Sequence, residues 1–225
     1  MESKVLTGAG TGKPVEIENL QLEEWIGKGG RSSGVHLISA SLKNRMTQLV
    51  EKRPNEQLCF VPNIAHILRT HQICKELKIP TFPTLRTDGT NLYSTPFFKP
   101  GKYELLTANN YAKRLMYLQL EGNLRVDETT LSVFESSLYN NTKKQGVIIN
   151  NLDAFGFVTD VKKKEVIKII ICDFDCIENY QEDSSALDEY SGKYRDIINT
   201  NLYYFRQSLQ EMKKYFNIDI EGESL

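Results

Sequence analysis

The residues best suited to chemistry lie in Ile169-Ile170-Ile171-Cys172-Asp173-Phe174-Asp175-Cys176, an apolar run that ends on two carboxylates. A β-branched run of this kind reads as a fully buried strand, so Asp173 and Asp175 leave it from a rigid support. Two such charges cannot both stay ionised cheaply unless a cation or a set of donors faces them. Magnesium is the natural cation for an oxygen-only site. Upstream, Asn150-Asn151-Leu152-Asp153 puts another carboxylate in a short turn between a predicted helix and strand. There it can act as a base or orient a metal.

A second set lies in Trp25-Ile26-Gly27-Lys28-Gly29-Gly30-Arg31-Ser32-Ser33-Gly34-Val35-His36-Leu37. Glycines between two strands let the backbone approach a triphosphate, with N–H groups turned to its oxygens. No Gly-Lys-Ser/Thr closes the segment, so it is not a Walker A loop. It leads into a strand, whereas the dinucleotide-binding glycine motif must open a helix. A plain hairpin with a flexible tip accounts for the same residues. Lys52, ending Gln48-Leu49-Val50-Glu51-Lys52, is placed to meet α/β-phosphates as a point charge or to be an exposed strand-end lysine.

The elements that must position these groups follow from periodicity and turn chemistry. Residues 1–20 read as a flexible leader. Strands are predicted at Leu22–Ile26, Val35–Leu42 and Gln48–Lys52, with a helix over Pro62–Lys78 ending near Pro80. Phe82–Arg86 and Leu92–Phe98 form a predicted hairpin around Asp88-Gly89. Helices are predicted at Asn109–Leu120 and Glu128–Lys144. Short extended segments follow at Val147–Ile149 and Phe155–Thr159, then the strand Val166–Ile171 and a polar loop over Glu178–Asp188. Ile198, Leu202, Phe205, Leu209, Met212 and Phe216 mark a long amphipathic helix, either packed in the core or docking a partner.

Composition narrows the class. The chain has 225 residues, a formal charge of −1, ten Phe and eleven Tyr, enough for a core and for one two-lobed domain. Disorder, collagen-like repeats and a disulfide scaffold are excluded. The near-neutral charge argues against nucleic acid held through its phosphates. Cys59, Cys74, Cys172 and Cys176 form no CxxC, and with three histidines a zinc site is not expected. No apolar run approaches the roughly 20 residues of a membrane span. Residues 1–19 lack the apolar stretch of a secretory signal, so a cytoplasmic location is the default expectation.

Taken in order, the glycine segment, strand lysine, helix, hairpin, helix, Asp-bearing turn and strand ending in Asp173-Phe174-Asp175 resemble the protein-kinase fold. The resemblance implies an α+β, minimal bilobal architecture, with a β-rich N-lobe over 21–98 and a truncated, mainly helical C-lobe over 99–225. It implies ATP and magnesium as cofactors. Gly27, Gly29, Gly30, Ser32, Ser33 and Gly34 would cover the triphosphate, Lys52 would hold its α/β-phosphates, and Pro96 and Phe97 would belong to the hinge that grips adenine. Asp173 and Asp175 would hold metal, and Asp153 would be the catalytic-loop aspartate unless Asn151 takes that position.

The departures are specific. The helix should offer a glutamate to Lys52, but the aligned position holds Thr70 or His71, with Glu76 late in the helix and Glu56 before it. The expected Asn after Asp153 is replaced by Phe157 or Val158, and Asp175 stands where a kinase has Gly. No Ala-Pro-Glu follows Asp175. This brevity is similar to the minimal kinases that bacterial pathogens deliver by type III secretion, of the NleH/OspG and HopBF kinds. Membership would imply a secreted, monomeric Ser/Thr kinase that acts on a host protein, a chaperone or a ubiquitin-pathway component, and reaches host cytoplasm without a cleaved signal. The alternatives are a pseudokinase binding module, or a kinase fold that transfers AMP or phosphorylates a small molecule.

Overall fold

The computed structural model describes residues 3–9, 13–27, 32–54, 63–95, 102–108, 123–142, 146–175, 177–179, 194–216 and 218–221. The chain divides into two compact units, Met1–Gln72 with Phe82–Phe97, and Ile73–Thr81 with Phe98–Leu225.

The first unit is an antiparallel barrel. Its strands are β1 (Ser3–Gly8), β2 (Val15–Gly27), β3 (Ser32–Leu42), β4 (Arg45–Pro54), β5 (Leu85–Thr87) and β6 (Leu92–Ser94), in the closed order β1-β2-β3-β4-β6-β5. Helix α1 (Ile64–Glu76) is inserted between β4 and β5. Side chains alternate across each strand, and Leu6, Ile17, Ile38, Ala40, Leu49 and Tyr93 fill the interior. Three register shifts in β2, the first beside Asn19 at φ 52°, add the bend that closure needs. Lys43 and Asn44, both at positive φ, make the tight turn from β3 to β4.

The predicted flexible leader is corrected here. Ser3–Gly8 is a strand that pairs with β2 on one side and with β5 on the other, and β2 already begins at Val15. Only Leu6 of β1 is buried, so the strand carries almost no apolar periodicity, and it is the pairing that closes the barrel which orders it.

A polar network lies with this apolar interior. The Glu51 side chain is only 2% exposed and takes two contacts from Arg53, at 2.7 and 2.8 Å. The Tyr93 hydroxyl lies 2.9 Å from Glu51 and 2.8 Å from Asp88, and its single proton can serve one of them at a time. The Lys4 ammonium reaches Tyr93 at 3.1 Å and Asp88 at 3.2 Å. The β5–β6 turn is built as predicted: Asp88 accepts from the amides of Thr90 and Asn91, and Gly89 sits at φ 99°. Burial raises the Asp88 carboxyl, but the Asn91, Thr90 and Tyr93 hydrogen bonds outweigh it and lower it to about 2.

The second unit centres on a sheet. Its elements are β7 (Tyr103–Thr107), β8 (Leu124–Asp127), α2 (Glu128–Thr142), β9 (Val147–Ile149), β10 (Phe155–Asp160), β11 (Glu165–Ile171), β12 (Ile177–Asn179), α3 (Tyr194–Phe216) and β13 (Ile218–Glu221). Five strands run in the order β13-β8-β11-β10-β7, with β8 parallel to both neighbours, and β9 pairs β12 separately. Asp127 accepts the Thr130 amide at 2.8 Å and so caps α2. Phe134 of α2, Phe155 of β10 and Phe205 of α3 form the aromatic core, with ring centroids 4.9 to 6.1 Å apart.

Two expectations are refined. The predicted mainly helical C-lobe contains, among the described residues, seven strands beside the longer α2 and α3. Strands β7, β8, β12 and β13 have three to five residues each, too short to show periodicity before their neighbours are known. Helix α3 packs into the core, yet its fully buried line is Asn201, Phe205, Ser208, Met212 and Phe216, and Leu202 and Leu209 stay half-buried. The predicted helix over 109–120 lies outside the described residues. No helix among those described is long and apolar enough to cross a membrane.

Candidate functional site

The pairs Ile149↔Ile177 and Phe155↔Ile171 belong to two different ladders, β9–β12 and β10–β11. They nevertheless share one count: five residues, 150–154, separate the ladders on one strand and five, 172–176, on the other. The two ladders thus flank an unpaired bubble. By that count Asp153 corresponds to Asp173 and Asn151 to Asp175, although Leu152–Ala154 turns as a 3₁₀ helix and does not continue the strand. The ladder's own hydrogen bonds enter the bubble, since the Cys172 amide donates to the Ala154 carbonyl at 2.8 Å. The Cys172 thiol donates to the Asp153 carbonyl at 3.5 Å.

Each side of the bubble is tied down. Leu152–Ala154 is a single 3₁₀ turn whose cap is Asn151, with the side-chain oxygen accepting the Asp153 amide at 3.0 Å. Asn151 is therefore engaged in shaping the turn, and Asp153 is carried on it with carboxylate oxygen Oδ1 buried. Asn150 donates across the bubble's far end to Glu178 at 3.1 Å. On the other strand, Pro80 and Thr81 hold the end of β11, through the Ile171 amide to the Pro80 carbonyl at 2.8 Å and the Thr81 hydroxyl to the Ile171 carbonyl at 3.0 Å. Phe174 is buried, and the Asp175 amide lies 3.5 Å from Asp173 Oδ1.

The donor set decides what cation this site could take. Among the described residues no group of three or more His, Cys, Asp or Glu side chains converges as a metal cage. Magnesium does not need one, since it is usually held by one or two carboxylates and completed by water and substrate phosphates. Asp173, followed two residues on by Asp175, could supply one or two such carboxylates and not a closed all-protein site.

The remaining expectations fall in the first unit. Lys52 is half-buried and flanked by strands on both sides, opposite Val35 of β3 and Leu92 of β6, so it is not a strand-end lysine. Leu49 and Glu51 face the barrel interior, whereas Val50 and Lys52 share the other face. Gly27 ends β2 and pairs with Val35, and Ser32, Ser33 and Gly34 already belong to β3. Of the predicted eight-residue loop, Gly27 and Ser32–Gly34 thus lie in strands, and 28–31, with Gly29 and Gly30, lie outside the described residues, as do Pro96 and Phe97. A Cβ at Gly34 would lie 2.5 Å from His36 Nε2, a contact that the His36 ring would have to move to relieve. On α1, Thr70 and His71 are buried, with His71 Nε2 donating to the Phe82 carbonyl at 2.8 Å. The helix's one acid, Glu76, is exposed in its last turn.

Two residues near Asp153 escaped the sequence reading. Asn201 accepts the Ile149 amide at 2.7 Å and donates to the Val147 carbonyl at 2.9 Å, and Ser208 donates to the Leu152 carbonyl at 3.1 Å. Both sit on α3 in helical register with Phe205 and Met212, and that spacing was the available signal.

The sequence matches no protein-family model and no curated protein. Among solved structures the chain is similar to the BubR1 kinase domain, at 14% identity and a TM-score of 0.40 over 74% of this chain and 48% of that one. It thus spans about half the length of that protein. It is also similar to the Helicobacter pylori proinflammatory kinase CtkA, at 15% identity and a TM-score of 0.38 over 92% of this chain and 72% of that one.

Proposed function

We propose that the chain is an ATP-dependent phosphotransferase of the protein-kinase type. The observation that carries this reading is that the turn bearing Asp153, capped by Asn151, is bonded through the Asp153 and Ala154 carbonyls to Cys172, the residue before Asp173, on a strand end anchored by Pro80 and Thr81. In this reading Asp173, helped by Asp175, holds a magnesium ion, which when bound neutralises charge on the β- and γ-phosphates. Asp153 accepts the proton of the attacking hydroxyl and holds that oxygen in line. Lys52 is the phosphate-directed ammonium, and the backbone at 27–34 supplies N–H donors. Catalysis of this kind is mostly positioning and charge stabilisation.

The finer assignment rests on the motif resemblance: a secreted effector that phosphorylates Ser or Thr of a host chaperone or ubiquitin-pathway protein. The test uses the full chain with ATP labelled on the γ-phosphate, and a fluorescent ATP analogue for binding. Asp173→Ala should abolish magnesium-dependent binding. Asp153→Asn should keep binding and slow transfer by about 10²- to 10⁴-fold, the usual worth of a general base. Transfer that survives Asp173→Ala would overturn the proposal, and mass spectrometry of the product separates phosphate from AMP.

A nucleotide-binding pseudokinase is the second reading, and one observation favours it. Strand β10 starts at Phe155, so the connector after β9 has no room for an Asn five residues beyond Asp153. That position is Val158, buried inside the strand. Binding without turnover on any acceptor would select this reading.

A further inference from the structure

We infer that Asn201 and Ser208 of α3 are positioning residues that fix the connector carrying Asp153 beside the end of β11. The inference deepens the phosphotransferase reading and rests on it for its catalytic consequence. Both side chains are fully buried, in a line whose other members are Phe205, Met212 and Phe216. A polar group costs free energy there unless it is paired, and an apolar residue would pack the helix without that cost. Leu202 and Leu209, each one position further along, are only half-buried. The helix is therefore turned to bring an amide and a hydroxyl, not two leucines, to the core.

What those two groups touch explains the choice. The Asn201 amide bridges the Ile149 N–H and the Val147 C=O, two groups on the same edge of β9. It stands where the peptide group of a further strand would, so β9 is paired by β12 on one edge and by a side chain on the other. Ser208, two helical turns on, takes the Leu152 carbonyl. The connector carrying Asp153 is thus held at its entry by Asn201, beside the aspartate by Ser208, and at its exit by the Cys172 amide on Ala154. Removing Ser208 leaves the Leu152 carbonyl buried without that donor and frees the turn, while the β10–β11 ladder keeps its own bonds.

The experiment compares wild type, Ser208→Ala and Ser208→Thr by native-state hydrogen exchange and by steady-state transfer from ATP. In Ser208→Ala the Asp153 and Ala154 amides should exchange about tenfold faster, the scale of one lost hydrogen bond. Amides of β10 and β11 should be unchanged. If the chain transfers phosphate, kcat should fall by a similar factor with KM for ATP constant, and Ser208→Thr, which keeps the hydroxyl, should recover most of both. Exchange at 153–154 equal to wild type overturns the inference. So does a uniform rise that includes β10 and β11, which would mark Ser208 as a general stabiliser of the unit. Wild type that neither binds ATP nor transfers phosphate, with the local exchange change present, leaves the anchoring intact and removes the phosphotransferase reading instead.

Discussion

Gly156 offers a sharp test of how tightly the bubble is packed. It lies on β10 opposite Thr107 of β7 and Ile170 of β11, one residue inside the Phe155↔Ile171 pair. A Cβ there would meet Leu105 Cδ1 at 2.7 Å, Cys172 Sγ at 2.9 Å and Cys172 Cβ at 3.2 Å. The Leu105 contact is with the end of a flexible side chain and can be relieved by rotation. The Cys172 Cβ is one bond from the backbone, so clearing it moves the main chain next to Asp173. Replacing Gly by Ala restricts the unfolded chain and would by itself stabilise by about 0.4–1 kcal/mol. Overpacking opposes that with about 1–3 kcal/mol. Gly156→Ala should therefore lose about 1–2 kcal/mol net. Urea unfolding of wild type, Gly156→Ala, Cys172→Ala and the double variant measures it, with a constant m confirming that only stability changed. The double variant should show favourable coupling of at least about 0.5 kcal/mol, since removing Sγ relieves the nearer Cys172 contact. A Gly156→Ala variant as stable as wild type, or a coupling of zero, would refute this account of the packing.

Two further outcomes follow from buried titratable groups. Asp88 has its carboxyl lowered to about 2, so the stabilisation it contributes is fully present above the unfolded value near 4 and disappears as pH falls towards 2. Because the group is part-exposed, that contribution is on the order of 1–2 kcal/mol, and the stability loss of wild type between pH 4 and 2 should exceed that of Asp88→Asn by this amount; parallel pH profiles would contradict it. Cys74 is fully buried, and burial pushes its thiol up to about 12, so it has almost no thiolate at neutral pH. Iodoacetamide labelling mapped by mass spectrometry should leave Cys74 unmodified until the chain is unfolded, and native-state labelling at the rate of a free thiol would count against this burial.

Much of the barrel was legible because its signals are local. Glycines and the Asp88-Gly89 turn mark the β2–β3 and β5–β6 hairpins, and the β-branched run of β11 announces a strand, although only Ile169–Ile171 are buried on both faces and Ile167 and Lys168 are exposed. What failed depends on pairing. Strand β1 has one buried apolar residue, and its place follows from closure between β2 and β5, a contact 80 residues distant in the case of Thr7 and Thr87. The short strands β7, β8, β12 and β13 are recognisable only from their partners, which are β10, β11, β9 and β8. For α3 the expected Phe205, Met212 and Phe216 are buried, but the line is completed by Asn201 and Ser208 while the more apolar Leu202 and Leu209 stay half-buried. Hydropathy cannot know that β9 and the Asp153 turn present unpaired backbone groups to the helix.

The same asymmetry separates the two carboxylates of the candidate site. Asp173 was visible in the sequence because a long apolar strand points to it, and the structure adds Pro80 and Thr81 as local anchors. Asp153 was ambiguous against Asn151, since a five-residue turn has no periodicity to orient it. In the structure Asn151 spends its side-chain oxygen on the Asp153 amide, the capping use for which Asn is well suited. A carboxylate that is carried on a capped turn and backed by polar groups buried in the core is costly to maintain. Leucines at 201 and 208 would not remove those costs, because the Ile149 amide and the Val147 and Leu152 carbonyls would lose these partners. The two polar side chains of α3 therefore answer the backbone of the connector, and the fixed position they give residue 153 is what the phosphotransferase reading would use.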